Sequence, residues 1–142
     1  MGELAMIEFH AGRGRLRLRL RALFMGADLC ILLDGGDRPH IGAVALMPDA
    51  TEVRHADQVD QEDPAALALE LPGHREGDLA RRMAQELGQT LGHAVTVVCG
   101  IHMDAASKAD IALALTLAHE LTQQLTRILT LPPQDAEQGN TC

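Results

Sequence analysis

Aromatic side chains are almost missing from this chain: two Phe, no Tyr and no Trp in 142 residues, or 1% of the sequence. Stacking platforms for bases are therefore lacking, and the core has to be assembled from Leu, Val, Ile, Ala and Met. Positive charge is also scarce. Twelve Lys and Arg stand against twenty Asp and Glu, giving a net charge of −8 and a pI near 5.2. This argues against a general nucleic-acid or anionic-membrane surface, because phosphate binding at affinity needs a basic face. The cysteines, Cys30, Cys99 and Cys142, are odd in number, and the first two lie inside apolar runs, which predicts reduced thiols rather than a disulfide framework. Glu3, Glu8 and His10 interrupt any N-terminal apolar run, and no later segment approaches the roughly 20 apolar residues that span a bilayer. A soluble cytoplasmic protein with neither nucleic-acid nor membrane partners is expected. The length predicts a single domain over residues 1–131 with a disordered tail at 132–142.

What is present is organised around Gly35-Gly36-Asp37-Arg38-Pro39-His40-Ile41-Gly42, a glycine-rich turn between two apolar runs. Glycines here tolerate positive φ, Pro39 fixes its own φ and pushes Arg38 towards an extended conformation, and Gly42 leaves room for another group near the backbone. From Arg13 to Phe24 the chain alternates, with Leu16, Leu18, Leu20, Ala22 and Phe24 opposite Arg15, Arg17, Arg19 and Arg21, which predicts a half-buried strand with a solvent-facing arginine row. The runs 29–33 and 41–47 lack alternation and predict two central strands, covered on both faces, that flank the glycine turn as a hairpin. Residues 48–65 read as an exposed acidic loop insertion. Another strand follows at 67–71. An amphipathic helix is then expected between Asp78 and Leu91, with Glu76 and Asp78 suiting its positive end and Gly92 its stop. Residues 94–99 predict a buried strand. Ser107 and Asp110 form a capping-box pattern that opens a helix to about Leu131, whose core stripe should be Ile111, Leu115, Ala118, Leu121, Leu125 and Leu129, widened by Leu113, Leu117 and Ile128. This order implies an α+β two-layer sandwich: two main helices on a mixed or mostly antiparallel sheet of about five or six strands.

Strand direction carries the functional argument. If 67–71 and 94–99 run antiparallel to 41–47, their C-terminal ends reach the edge that holds the glycine turn. That would gather Asp34, Asp37, Arg38, His40, His74, His102 and Asp104. Three histidines in strand-end turns suit metal ligation, so His40, His74 and His102 are candidate ligands for a divalent ion, with Asp37 or Asp104 completing the shell or fixing a tautomer. The same edge can be read as an anion site. Arg38, the amides of Gly35, Gly36 and Asp37, and the helix N-terminus after Gly73-His74 would receive a phosphate, with Pro39 holding the turn. No convincing catalytic motif is present: Ser107 is occupied as a cap, Cys30 and Cys99 lie in core strands, and neither a phosphate-loop nor a dinucleotide fingerprint occurs.

Three blocks, residues 35–45, Leu71-Pro72-Gly73-His74-Arg75 and Cys99-Gly100-Ile101-His102-Met103-Asp104-Ala105, resemble those of the small LpdD-like proteins. The resemblance spans about residues 14–130 and leaves out 48–65 and the tail. It implies a proteasome-assembly-chaperone-like fold and a non-catalytic prenylated-flavin chaperone associated with UbiD-class, gallate-type decarboxylases. On that reading the chain receives reduced prenylated FMN (or FMN), made by a flavin prenyltransferase, and helps deliver it. The flavin phosphate would sit at His40, His74 and His102 with Arg38 in support, directly or through a metal. The isoalloxazine would rest on aliphatic and Met side chains, and the protein would be a homodimer through either the wide face of helix 107–131 or the sheet edge. Two rivals use the same residues: a small His-metal-dependent hydrolase, and a cofactor-free assembly subunit of a decarboxylase.

Overall fold

The computed structural model describes residues 5–49 and 66–132. The expected tail, Cys142 and nearly all of the acidic segment lie outside them. Alternation sets the first strands. In β1 (Met6–Arg13), Ile7, Phe9 and Ala11 turn inward, and in β2 (Leu16–Met25), Leu16, Leu18, Leu20 and Ala22 are buried. Gly14, at φ 57°, closes this hairpin and the strands pair antiparallel. β1 was not expected, because Ile7, Phe9 and Ala11 are separated by Glu8 and His10; that spacing is itself the period-2 signal of a strand with one wet face.

β3 (Asp28–Gly36) pairs antiparallel with β2 and parallel with β6 (Val95–His102); β4 (Ala43–Met47) pairs antiparallel with both β6 and β5 (Leu67–Glu70). The sheet order is β1-β2-β3-β6-β4-β5. This corrects the expected hairpin. β3 and β4 run in opposite directions, but β6 lies between them, and the connection through 37–42 bridges its width instead of turning tightly. β6 takes the central place with Val95, Val97 and Cys99 buried. Coverage on both faces also fails for β4, where burial alternates strictly and Val44 and Leu46 are open.

Both helices pack on the inner face. α1 (Gly77–Leu91) lies over β4, β5 and β6, burying Ala80, Met83, Ala84 and Leu87; α2 (Lys108–Thr130) reaches β1 and β2. The expected ends hold: Gly92 caps α1 in the left-handed conformation, and Ser107 and Asp110 complete the capping box of α2. The stripe of α2 is rotated from expectation. Leu117, Ala118, Leu121, Thr122 and Leu125 are buried, whereas Ile111, Leu115 and Ile128 are exposed. A helix with so wide an apolar stripe does not announce which arc meets the sheet, and here α1 already occupies the neighbouring space.

Candidate functional site

The antiparallel placement of β4 against β5 and β6 brings three segment ends to one corner: the 37–42 connection, the turn at 71–76 before α1, and the end of β6. Their backbones are stitched together, with Asp37 N–H donating to the His102 carbonyl at 2.6 Å, Gly42 N–H to Cys99 at 2.9 Å and Leu71 N–H to Gly42 at 2.8 Å. Gly36, at φ 76°, passes so close to the His102 carbonyl that a Cβ would overlap it. Gly35 and Gly36 are the last residues of β3, in register with Ile101 and His102. The Asp37 amide is therefore spent within the protein.

His40 and His74 meet directly, with Nε2 to Nδ1 at 2.9 Å and ring centroids 4.6 Å apart. His40 Nδ1 lies 3.2 Å from the Arg38 carbonyl. A carbonyl only accepts, so His40 carries its proton on Nδ1 and offers the Nε2 lone pair to His74 Nδ1–H. Glu76 completes the cluster. Its Oε1 is 3.7 Å from His40 Nε2 and its Oε2 3.8 Å from His74 Nδ1, and its side chain is only 12% exposed. Although Glu76 stands at the N-cap of α1, its side chain does not cap the helix; it accepts the N–H groups of Arg75 and Ile101 at 3.1 and 3.4 Å. The carboxylate lies over Gly42, where a Cβ would come within 2.5 Å of Oε2. The room that Gly42 was expected to leave is thus filled by Glu76.

His102 has a different environment. Its ring lies 5.9 Å from that of His40, but Nε2 is turned to Asp104 Oδ1 at 3.0 Å and Arg38 Nη2 at 2.8 Å. Arg38 also donates to Asp104 at 3.1 Å. The His102 hydrogen bond and then the Arg38 charge hold the Asp104 carboxyl below its ordinary range. Asp37 accepts the Asp104 N–H at 2.8 Å and lies 3.5 Å from Arg15, which pairs with Asp110 at 3.0 Å. Asp34 is held apart on the outer face by Arg19 and Arg21 at 3.3 and 2.9 Å, so part of the arginine row is engaged within the sheet. Pro39 and His40 border a concavity of about 300 Å³ on that face; Gly73, at φ 80°, forms the turn before His74.

Between the helices, and reached through Glu76, lies a cleft of about 230 Å³ with a floor of Leu79, Ile101, Met103, Ile111, Ala114 and Leu115. Glu76 is the member that sequence reasoning assigned elsewhere. Its position before a helix suggested a dipole partner, and only its place two residues after His74 hinted at a shared site.

Among the described residues, a six-stranded mixed sheet with two helices on one face makes an α+β two-layer sandwich. A chain in the crystal structure of a chaperone complex for yeast 20S proteasome assembly matches it with a TM-score of 0.58, covering 89% of this chain and 98% of that one at 10% identity, a likeness of fold alone. The sequence narrows this class. The prenylated flavin chaperone LpdD-like domain family matches residues 12–130, and Protein LpdD of Lactiplantibacillus plantarum is 30% identical over 113 residues, 80% of this chain and 77% of that protein. The chain belongs to the LpdD-like chaperone family.

Proposed function

We propose that this protein is a non-catalytic carrier of reduced prenylated FMN that supports maturation of a UbiD-class decarboxylase and takes its cargo from a flavin prenyltransferase. The observation that carries this reading is the adjacency, through Glu76, of a polar corner rich in imidazole to an apolar cleft. A flavin mononucleotide has those two halves. The phosphate belongs at His40, His74 and His102 with Arg38, whose side chain is 69% exposed. The residues Gly35, Gly36, Asp37, Pro39 and Gly73 shape that corner. The ring system belongs on Leu79, Ile101 and Met103, where thioether and aliphatic contacts replace aromatic stacking.

Hydrolysis has less support. A metal-dependent hydrolase would need a general base such as Asp37 or Asp104, and these are committed to the Asp104 amide and to the His102–Arg38 pair. Cys99 is buried, and burial pushes its thiol up to about 12, which leaves it without thiolate near neutrality. The protein co-expressed with a flavin prenyltransferase should carry one prenylated FMN per chain by absorbance and native mass, with at least tenfold lower occupancy in His40→Ala and His102→Ala. A colourless wild type that still binds the decarboxylase would instead mark an assembly subunit. Ester or phosphoester turnover lost in the same variants would mark a hydrolase.

A further inference from the structure

We infer that His40 Nε2, His74 Nδ1 and a Glu76 carboxylate oxygen form a divalent transition-metal site with a coordination position left for a phosphate oxygen. His40 Nε2 and His74 Nδ1 lie 2.9 Å apart, Glu76 Oε1 lies 3.7 Å from the first and Oε2 3.8 Å from the second, and one donor atom from each residue can be taken so that all three lie within 4.8 Å of one another. Ligands about 2.1 Å from one ion are separated by about 3.0 Å at right angles and about 3.4 Å at tetrahedral angles. The imidazole pair already stands at about the right-angle separation, and the Glu76 carboxylate moves in towards it to close the set around an ion. Two imidazoles with one carboxylate is a donor set suited to Zn²⁺ or Fe²⁺ and poorly suited to Mg²⁺ or Ca²⁺, which prefer oxygen.

The surroundings support the donors. The Arg38 carbonyl fixes the His40 tautomer that leaves Nε2 free to ligate, as a supporting shell does in metal sites. Backbone N–H groups of Arg75 and Ile101 orient the Glu76 carboxylate, and the glycine at 42 makes space for it. Without metal, a proton on His74 Nδ1 holds the two rings together. Ligation requires neutral His74 to carry its proton on Nε2 instead. His102 is not in the set, because its Nε2 faces Asp104 and Arg38.

Three protein ligands leave a tetrahedral ion one open position, and the His40 and His74 side chains are 24% and 30% exposed. The phosphate of an FMN-type cofactor would fill it; that identity rests on the carrier reading, whereas the ion site does not. The test therefore uses purified, chelator-stripped full-length protein without flavin. Titration with Co²⁺ and Zn²⁺ should saturate at one ion per chain, the Co²⁺ complex showing a tetrahedral d–d band that shifts on adding inorganic phosphate. Glu76→Gln and His74→Ala should weaken binding at least tenfold with circular dichroism unchanged. His102→Ala should keep metal affinity within threefold. A wild type that takes up no ion at micromolar concentration, or a Glu76→Gln protein that binds as the wild type does, would overturn the site. A wild type that binds the ion but does not bind reduced prenylated FMN added afterwards would count against the carrier reading alone.

Discussion

Gly42 has no side chain, and the Glu76 carboxylate occupies the place where one would go. Gly42→Ala should therefore cost about 1–3 kcal/mol in overpacking, read as a lower urea midpoint at unchanged slope. It should also weaken ion binding, because the carboxylate must swing away from the histidines. Unaltered stability and metal affinity would show that Glu76 is not held there. Cys99 gives a second residue-scale outcome. Its raised value favours the neutral thiol in the folded state, so that contribution is present below the usual cysteine range and is lost as pH rises towards about 12. Iodoacetamide at pH 8 should leave Cys99 unmodified until denaturant is added, as peptide mass spectrometry would show; native-state labelling of Cys99 would contradict its burial. The meeting of His40 and His74 was legible because strand direction brings their strand-end turns to one edge. Glu76 was not, since a carboxylate before a helix has a routine explanation that only side-chain direction removes.

At the scale of elements, the segment from His102 to Ser107 links the site to α2. Ser107 accepts the Asp110 N–H at 3.1 Å, and Asp110 accepts both the Ser107 N–H and Arg15. Ser107→Ala should cost about 1 kcal/mol, measured by chemical denaturation. The Ser107 backbone bond, then Arg15 and the Ser107 side chain, hold the Asp110 carboxyl below its usual range, as His102 and Arg38 do for Asp104. The sign follows directly. These carboxyls add stability above the ordinary carboxylate range, near pH 4, and lose it as pH falls through their lowered values. Asp110→Asn should flatten the acid side of the stability profile; a profile identical to wild type would contradict the coupling. Element types were readable from alternation and from caps. Partnership was not, because the strand between β3 and β4 comes much later in the chain, and a local pattern cannot distinguish a hairpin from a gap that another strand fills.

For the whole molecule, the outer face of β4 and β5 is apolar and open. Val44 registers with Leu69 and Leu46 with Leu67, and Leu69 and Leu67 are 80% and 74% exposed. Such a patch has the character of a contact surface, and the homodimer that the family resemblance implies would be expected to use it. Replacing Leu67 and Leu69 together by Glu should convert a dimer to a monomer by native mass with secondary structure retained; an unchanged mass would place the interface elsewhere. The sheet order and the open face came from folding, whereas the three sequence blocks anticipated the corner that the carrier reading requires. That reading is tested most directly by anaerobic titration of reduced prenylated FMN into the purified protein. We predict saturation at one equivalent per chain and at least tenfold weaker binding by His40→Ala, about 1.4 kcal/mol. A wild type that fails to retain the reduced cofactor, or a His40→Ala protein that binds it equally well, would contradict the account.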